Sequence, residues 1–330
     1  MSGSTSPRIL LTGATGFVGG RLWPELERAG YRVRGFTRSP EKARRKWPDR
    51  EWAGGDVSDE SSLRNAMDGC YASYYLVHGM AEGGADFRRR EVEAAERFRG
   101  AAEKAGLSRV IYLGGLKPDG EPTEHLRSRL EVGETLRAGR VPCLELRASM
   151  IVGHGSLSWL IVRDLAARLP CMVLPAWLHS RTQPVAAREV ILALVEGLRI
   201  PLERSASFDL PGPEVLSGRE ILERTSALMG RRRPVMVEVP VLSPWLSSHW
   251  VHFVTRAEWS VAREVVIGLQ HDFLARDGRY WELIGLTHRI SFDQAVREAL
   301  AEERGDGPIP GVWGGIERTL SRCWAGRAAA

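Results

Sequence analysis

Three observations predict an α/β fold built on a doubly wound parallel sheet. An apolar run, Ile9-Leu10-Leu11, breaks at once into a glycine-spaced turn and a helix. The hydrophobic period then switches repeatedly between that of strands and that of helices. The chain has 330 residues and 43% hydrophobic content, enough to bury a substantial core.

The elements follow in order. The apolar run is the first strand, of the kind buried on both faces in a parallel sheet. YRVRGFTR, ending near Thr37, is the second, and REWAGGDV and ASYYLVHG are the third and fourth, with a helical pattern over Ser61 to Met67 between them. Asp86 to Ala105 is a long amphipathic helix closed by Gly106. RVIYLGG is the fifth strand and Pro142 to Ala148 the sixth, after another helix. The helix Ala187 to Leu198 and the strand SFDLPG supply the remaining pieces of the sheet, and Ser156 to Ser180 interrupts them. Ser217 with Glu220 and Ser291 with Gln294 are capping-box signatures for two later helices, separated by the strand-like PVMVEVP. The expected division is a nucleotide-binding Rossmann core over 1–155, completed by about 181–212; a mostly helical substrate-binding region over 156–180 and 213–304; and a tail over 305–330, in which Ile316 to Trp324 is a short amphipathic helix docked on the body or touching a partner.

The turn after the first strand carries the chemistry. Gly13 permits the tight bend, Gly16 lets the backbone close on a pyrophosphate, and Gly19 lets the helix lie near the sheet, so that N–H groups at the helix start face an anion. Thr12, Thr15, Phe17 and Val18 complete this cradle. Where an NAD enzyme of this build places an acid after the second strand, the chain has Arg38. A guanidinium offers a 2′-phosphate planar donors, and Ser39, Lys42, Arg44 and Arg45 add to the site, so the expected cofactor is NADP(H). The alternative is that these cations form a solvated helix face. Val77, His78 and Gly79 follow the fourth strand, where ligands of parallel sheets lie, and His78 is expected to line the nicotinamide side.

Composition narrows the classes. A net charge of +5 is modest for this length and does not indicate nucleic-acid binding. Arg231-Arg232-Arg233 follows a helix end at Gly230, where cations complement the dipole and solvent screens them. The four cysteines show no paired spacing, which suits reduced thiols in a cytoplasmic setting, and His249 with His252 lacks further ligands, so no metal is expected. Residues 1–8 lack the apolar core of a signal peptide, and no apolar run reaches spanning length. VLSPWLSSHWVHFVT and IVRDLAARLPCMVLPAWL suit either a folded interior or peripheral contact with a membrane surface.

The segments YYLVHGM, DFRRREVEAAERFRGAAEKAG, RVIYLGGLKP, HLRSRLEVGETLRAG, LRASMIVGHGS and RTQPVAAREV, taken with the G-x-x-G-x-x-G turn, resemble the atypical short-chain dehydrogenase/reductase superfamily in its NAD(P)-binding, NmrA-like branch. The resemblance covers most of residues 8 to 300. It implies that Asp56 and Val57 lie beside the adenine, and that a tyrosine and a lysine four residues later should exchange a proton with the substrate. No tyrosine and lysine have that spacing. His125 and Arg129 occupy the two positions, one helical turn apart, and the strand end that supplies a catalytic serine in the superfamily reads Gly114-Gly115. His125 can donate a proton and Arg129 can fix a ribose, a phosphate or an oxyanion; the alternative is a surface pair without chemical duty. Lys117 and Arg147 are secondary polar candidates.

Trp159, Trp177, Trp245, Trp250, Trp259 and Trp281, with Met172 and Phe253, suit core packing or the wall of an apolar pocket. The expected activity is NADPH-dependent reduction of a carbonyl or activated double bond of an apolar small molecule, without the tyrosine-lysine pair. The alternative is a non-catalytic NADP(H)-binding redox sensor or assembly protein.

Overall fold

A computed structural model describes residues 6–77, 85–169, 171–175, 179–231, 234–239, 244–268 and 271–305, together with 315, 317 and 319. The first half runs β1 (Arg8–Thr12), α1 (Phe17–Arg28), β2 (Arg32–Thr37), α2 (Pro40–Lys46), β3 (Glu51–Gly54), α3 (Glu60–Met67), β4 (Ala72–Tyr75), α4 (Ala85–Lys104), β5 (Arg109–Gly115), α5 (Glu124–Arg137) and β6 (Cys143–Ala148). Then come β7 (Ile151–Val152), α6 (Leu157–Arg168), β8 (Cys171–Pro175), β9 (Arg181–Thr182), β10 (Val185–Ala186), α7 (Ala187–Glu196) and β11 (Ala206–Asp209). The chain continues through β12 (Leu216–Ser217), α8 (Gly218–Leu228), β13 (Val235–Val239), α9 (Pro244–Val254), α10 (Trp259–Gly268), α11 (Arg279–Leu283) and α12 (Phe292–Gly305).

Seven strands form the main sheet in the order β3-β2-β1-β4-β5-β6-β11, all neighbours parallel. The pleat of β1 explains its unbroken apolar run. Ile9 and Leu11 face a cluster with Leu22 and Leu26 of α1, Leu194 of α7 and Tyr280 of α11, whereas Leu10 faces one with Leu63 of α3, Phe98 of α4 and Val132 of α5. Each is fully buried, and at about 25 cal/mol per Å² such side chains are worth about 1.5–3 kcal/mol apiece. The strand order reverses between β1 and β4, which is where open sheets of this kind form a ligand crevice.

The SFDLPG segment is the seventh strand and borders β6, so the sheet is finished only by chain that follows α6 and α7. Three other pairings were not anticipated, among them the antiparallel pair of β9 with β12. PVMVEVP does not stand alone: as β13 it pairs in parallel with β8, which lies within the Ser156–Ser180 interruption. β7 pairs with β10. The capping box of Ser217 and Glu220 forms in both directions, whereas Ser291 accepts from the Gln294 amide without the return bond, because the Gln294 side chain turns to Glu298. α6 is an interior helix. It buries Trp159 and Ile161 and also Arg163, Asp164 and Arg168. Arg231 is half-buried, and burial lowers its pKa, so solvent screening does not describe it; Arg232 and Arg233 lie outside the described residues. Among the described residues no helix is long and apolar enough to cross a membrane.

Candidate active site

The glycine turn sits at the carboxyl end of β1, beside the strand-order reversal. Gly13 has φ +66°, and a Cβ there would stand 2.5 Å from the Leu76 carbonyl oxygen, so only glycine fits so close to the end of β4. Gly16 is the N-cap of α1, with φ −82°, and its amide donates to the Gly13 carbonyl at 3.0 Å. A Cβ at Gly19 would press on the Gly13 carbonyl and lie 2.8 Å from the Ala14 Cα, so this glycine seats the helix on the turn itself. Thr15 and Gly16 are exposed, no side chain caps α1, and its first turn carries no acid. The cradle therefore presents a bare helix N-terminus to an anion.

Thr12 works inside this frame. It is fully buried, its Oγ1 donates to the Tyr74 carbonyl at 2.9 Å, and it accepts the Leu76 amide at 3.1 Å. Its hydroxyl is thus committed to joining β1 to β4 and shapes the turn from behind. Val18 packs against the core, and Phe17 is half-buried under the Arg21 guanidinium, 4.8 Å from its ring centroid.

At the end of β2, Arg38 and Ser39 are exposed, and the Ser39 amide donates to Thr37 Oγ1 at 3.3 Å. Lys42 and Arg45 are exposed as well, but Arg44 turns away and donates to the Trp52 carbonyl at 3.1 Å. Asp56 accepts the Ser58 amide at 2.8 Å and its hydroxyl at 2.7 Å, and Val57 and Val77 each pack on the core. The Ser58 backbone bond, then the hydroxyl bond, hold the Asp56 pKa below the usual carboxylate value, with the charge of Arg38 adding to them. A depressed folded pKa means that this stabilisation is complete above about pH 5 and fades as pH falls through the folded value. Asp56→Asn should flatten the acid side of a Tm-against-pH curve; an unchanged slope would remove the carboxylate from that balance. His78 and Gly79 lie outside the described residues.

α5 brings His125 and Arg129 onto one face, toward the end of β5. Thr123 caps the helix by accepting the Leu126 amide at 3.2 Å, which fixes its first turn. His125 is half-buried against Phe87 of α4, with ring centroids 4.8 Å apart. Arg129 donates from Nη2 to the Leu113 carbonyl at 2.8 Å, while its buried Nε has no hydrogen-bond partner. That orphaned donor lies 3.8 Å from where a Cβ of Gly115 would stand. An unmatched guanidinium donor at a strand end and a bare helix N-terminus fit a group that is both anionic and rich in hydroxyls.

Three of the tyrosines have hydroxyls committed to backbone carbonyls. Tyr112 is closest in chain position to the site, and its hydroxyl donates to the Arg129 carbonyl at 2.9 Å; Tyr74 and Tyr280 donate to the Leu194 and Ala193 carbonyls. Burial raises the pKa of all three, and that of Tyr75. The end of β5, where the resemblance places a serine, is crowded as well. A Cβ at Gly114 would stand 2.9 Å from Oε1 of the fully buried Glu145, which would also crowd a Cβ at Gly133 of α5, and the other Glu145 oxygen is held by Arg137 at 2.7 Å and Arg147 at 2.9 Å.

A family profile described as NAD(P)H-binding matches residues 13–166. A dihydroflavonol 4-reductase-like protein of Synechocystis sp. is 30% identical over 329 residues, covering 89% of this chain and 92% of that one. The chain belongs to the NAD(P)H-binding, atypical short-chain dehydrogenase/reductase superfamily. The (4-alkanoyl-5-oxo-2,5-dihydrofuran-3-yl)methyl phosphate reductase of Streptomyces griseus is 27% identical, covering 68% of this chain and 74% of its own. In fold the chain is similar to the Citrobacter sp. triphenylmethane reductase complexed with NADP(H), at TM-score 0.69 and 18% identity, covering 88% of this chain and 99% of that one.

Other residues of this superfamily member divide by environment. Lys117 is exposed, and Arg147 is tied to Glu145. His249 stacks on Trp259 at 3.9 Å, and His252 Nδ1 lies 2.9 Å from the Ala257 carbonyl oxygen, so both rings have packing partners. Trp159 and Trp281 are core residues, the latter donating to the Pro211 carbonyl at 3.0 Å; the side chains of Met172, Trp177, Trp245 and Trp250 lie outside the description, and Phe253 is exposed. Phe87 behind His125 escaped the sequence reading. So did Gly153 and Gly155, whose missing Cβ positions lie 2.6 Å from Ala187 Cβ and 3.3 Å from the Phe17 ring respectively. Their signal was the pair of glycines in IVGHGS, right after the sixth strand.

Proposed function

We propose that the chain is an NADPH-dependent reductase of a carbonyl or activated double bond in an apolar small molecule, working without the tyrosine-lysine pair. The observation that carries this reading is the pairing of half-buried His125 with Arg129, whose unmatched Nε stands at the end of β5. The Gly13–Gly19 turn would receive the pyrophosphate, Arg38 and Ser39 the 2′-phosphate, Asp56 and Val57 the adenine side, and Val77, His78 and Gly79 the nicotinamide side. Residues 156–180 and 213–304 would enclose the substrate.

Bound NADPH supplies the hydride. Arg129 would orient a ribose hydroxyl or neutralise the substrate oxygen as charge develops on it. His125 would give its proton to the carbon or oxygen left negative and recover one from solvent, with Phe87 holding the ring in place. Hydride delivery to a conjugated carbon demands less of the acid than reduction of a simple ketone. That chemistry agrees with the words in the names of the two reductases above, one acting on an oxo-dihydrofuran phosphate and one on triphenylmethane dyes.

NADPH consumption with a panel of enones, quinones and aldehydes tests the reading. His125→Gln should lower kcat by about 10²-fold or more with little change in the Kd for NADPH, the usual effect of losing a general acid. Turnover unchanged in that variant would remove His125 from the chemistry. Tight NADPH binding with no substrate consumed would favour the redox sensor instead.

A further inference from the structure

Between α10 and α11 the chain runs through residues 271–277 without helix or named strand, yet it is bonded to other parts of the protein along its length. The amides of Asp272, Phe273, Ala275 and Arg276 donate in turn to Asp119 Oδ1 at 3.1 Å, the Arg181 carbonyl at 2.7 Å, Gln183 Oε1 at 2.8 Å and Asp209 Oδ2 at 2.9 Å. Three of these acceptors are side chains, so polar groups of the sequence are spent on holding a backbone. Asp119 follows β5 and Asp209 ends β11, two strands away across β6. The stretch is therefore a strap across the carboxyl edge of the sheet, the side on which the candidate site lies.

Asp272 makes the firmest junction of the strap. Its backbone meets the loop after β5, where the Asp119 amide donates to the Asp272 carbonyl at 3.2 Å and so returns the bond that Asp119 Oδ1 accepts. Its carboxylate meets β9 instead: Oδ1 accepts the Arg181 amide at 2.6 Å, and Oδ2 accepts Arg181 Nε at 2.8 Å and Nη2 at 2.6 Å. The neighbouring His271 ring lies against Gly120, where a Cβ would collide with it. The loop is otherwise thinly held. Lys117, Asp119 and Glu121 are exposed, and among the described residues the hydrogen bonds from 117–122 to distant chain are those with Asp272. The loop ends at Thr123, the cap of α5, two residues before His125.

We propose that Asp119 and Asp272 are positioning residues for the reduction, pinning the loop that leads into α5 and so fixing where His125 stands relative to the substrate. The proposal rests on the reductase reading of His125. Both residues act through that histidine, and neither needs to touch the reacting atoms. Thr123 fixes the first turn of the helix, whereas the strap fixes where that turn stands at the sheet edge. A general acid works only within hydrogen-bond reach of its target, and a displacement of about 1 Å can cost roughly 10²-fold in rate.

The test uses the full chain. Asp119→Ala removes the acceptor of the Asp272 amide at an exposed position, so the protein should stay folded. With the best compound of the enone, quinone and aldehyde panel, kcat should fall roughly 10-fold while the Kd for NADPH is unchanged. Asp119→Asn, whose side-chain carbonyl still accepts that amide, should restore most of the rate. In the His125→Gln background, Asp119→Ala should cost nothing further. Amide hydrogen exchange over residues 123–129 should be faster in Asp119→Ala than in wild type. A lower Tm with kcat intact, or losses from Asp119→Ala and His125→Gln that multiply, would overturn the proposal and leave an ordinary structural tie. If the panel gives no turnover, or His125→Gln leaves it unchanged, the reductase reading fails separately. Exchange then decides the hold of the strap on α5, and unchanged rates over 123–129 would overturn it.

Discussion

Arg38→Asp should reverse the choice of nucleotide, weakening NADPH about 100-fold or more while leaving NADH within a few-fold of its original Kd. A charge-assisted bond to a 2′-phosphate is worth about 1.5–3 kcal/mol, and the incoming carboxylate adds repulsion where the guanidinium attracted. The exposed position of Arg38, after β2 and beside the exposed Ser39, makes the exchange local, so the fold should be untouched. Calorimetric titration of both nucleotides against both proteins reads the result. If the NADPH-to-NADH ratio of Kd values stays the same, the basic run after β2 is only a solvated surface.

Gly13→Ala should be the most damaging single methyl group in the nucleotide half. The left-handed conformation costs an alanine about 1–2 kcal/mol, and its Cβ would stand 2.5 Å from a backbone oxygen that cannot swing aside as a side chain can. A loss of about 3–5 kcal/mol in denaturant unfolding is expected, with nucleotide binding falling alongside it. Gly16→Ala separates the two effects. Its φ of −82° suits any residue, and its nearest obstacle is the Gly13 oxygen at 3.3 Å, so the protein should stay folded while the methyl group fills the anion's approach. Equal stability of Gly13→Ala and wild type would show that the turn relaxes more freely than its geometry implies.

What could be read from the chain was local. The Gly13-Gly16-Gly19 spacing, the Ser217-Glu220 box and the strands Arg109–Gly115 and Ala206–Asp209 all announce themselves within a few residues. β8 with β13 and β7 with β10 did not, because two-residue or isolated strands acquire meaning only from a partner more than 30 residues away. The cations of IVRDLAARL suited a membrane surface as well as an interior, since nothing in that stretch reveals Glu303 or Glu317 as their counter-ions. Thr12 stood out as a neighbour of the glycines, yet its bonds to Tyr74 and Leu76 needed the sheet order to be visible. His125 and Arg129 were found by spacing, but the ring of Phe87 behind one and the bare Nε of the other are products of packing.

The crowding around Glu145 closes the end of β5 to a serine introduced by a single substitution. A serine placed at position 114 would meet a carboxylate clamped by two arginines, and one at position 115 would bring its Cβ within 2.8 Å of the Leu126 side chain. A hydroxyl can therefore be installed at this strand end only with an accompanying change at Glu145 or Leu126.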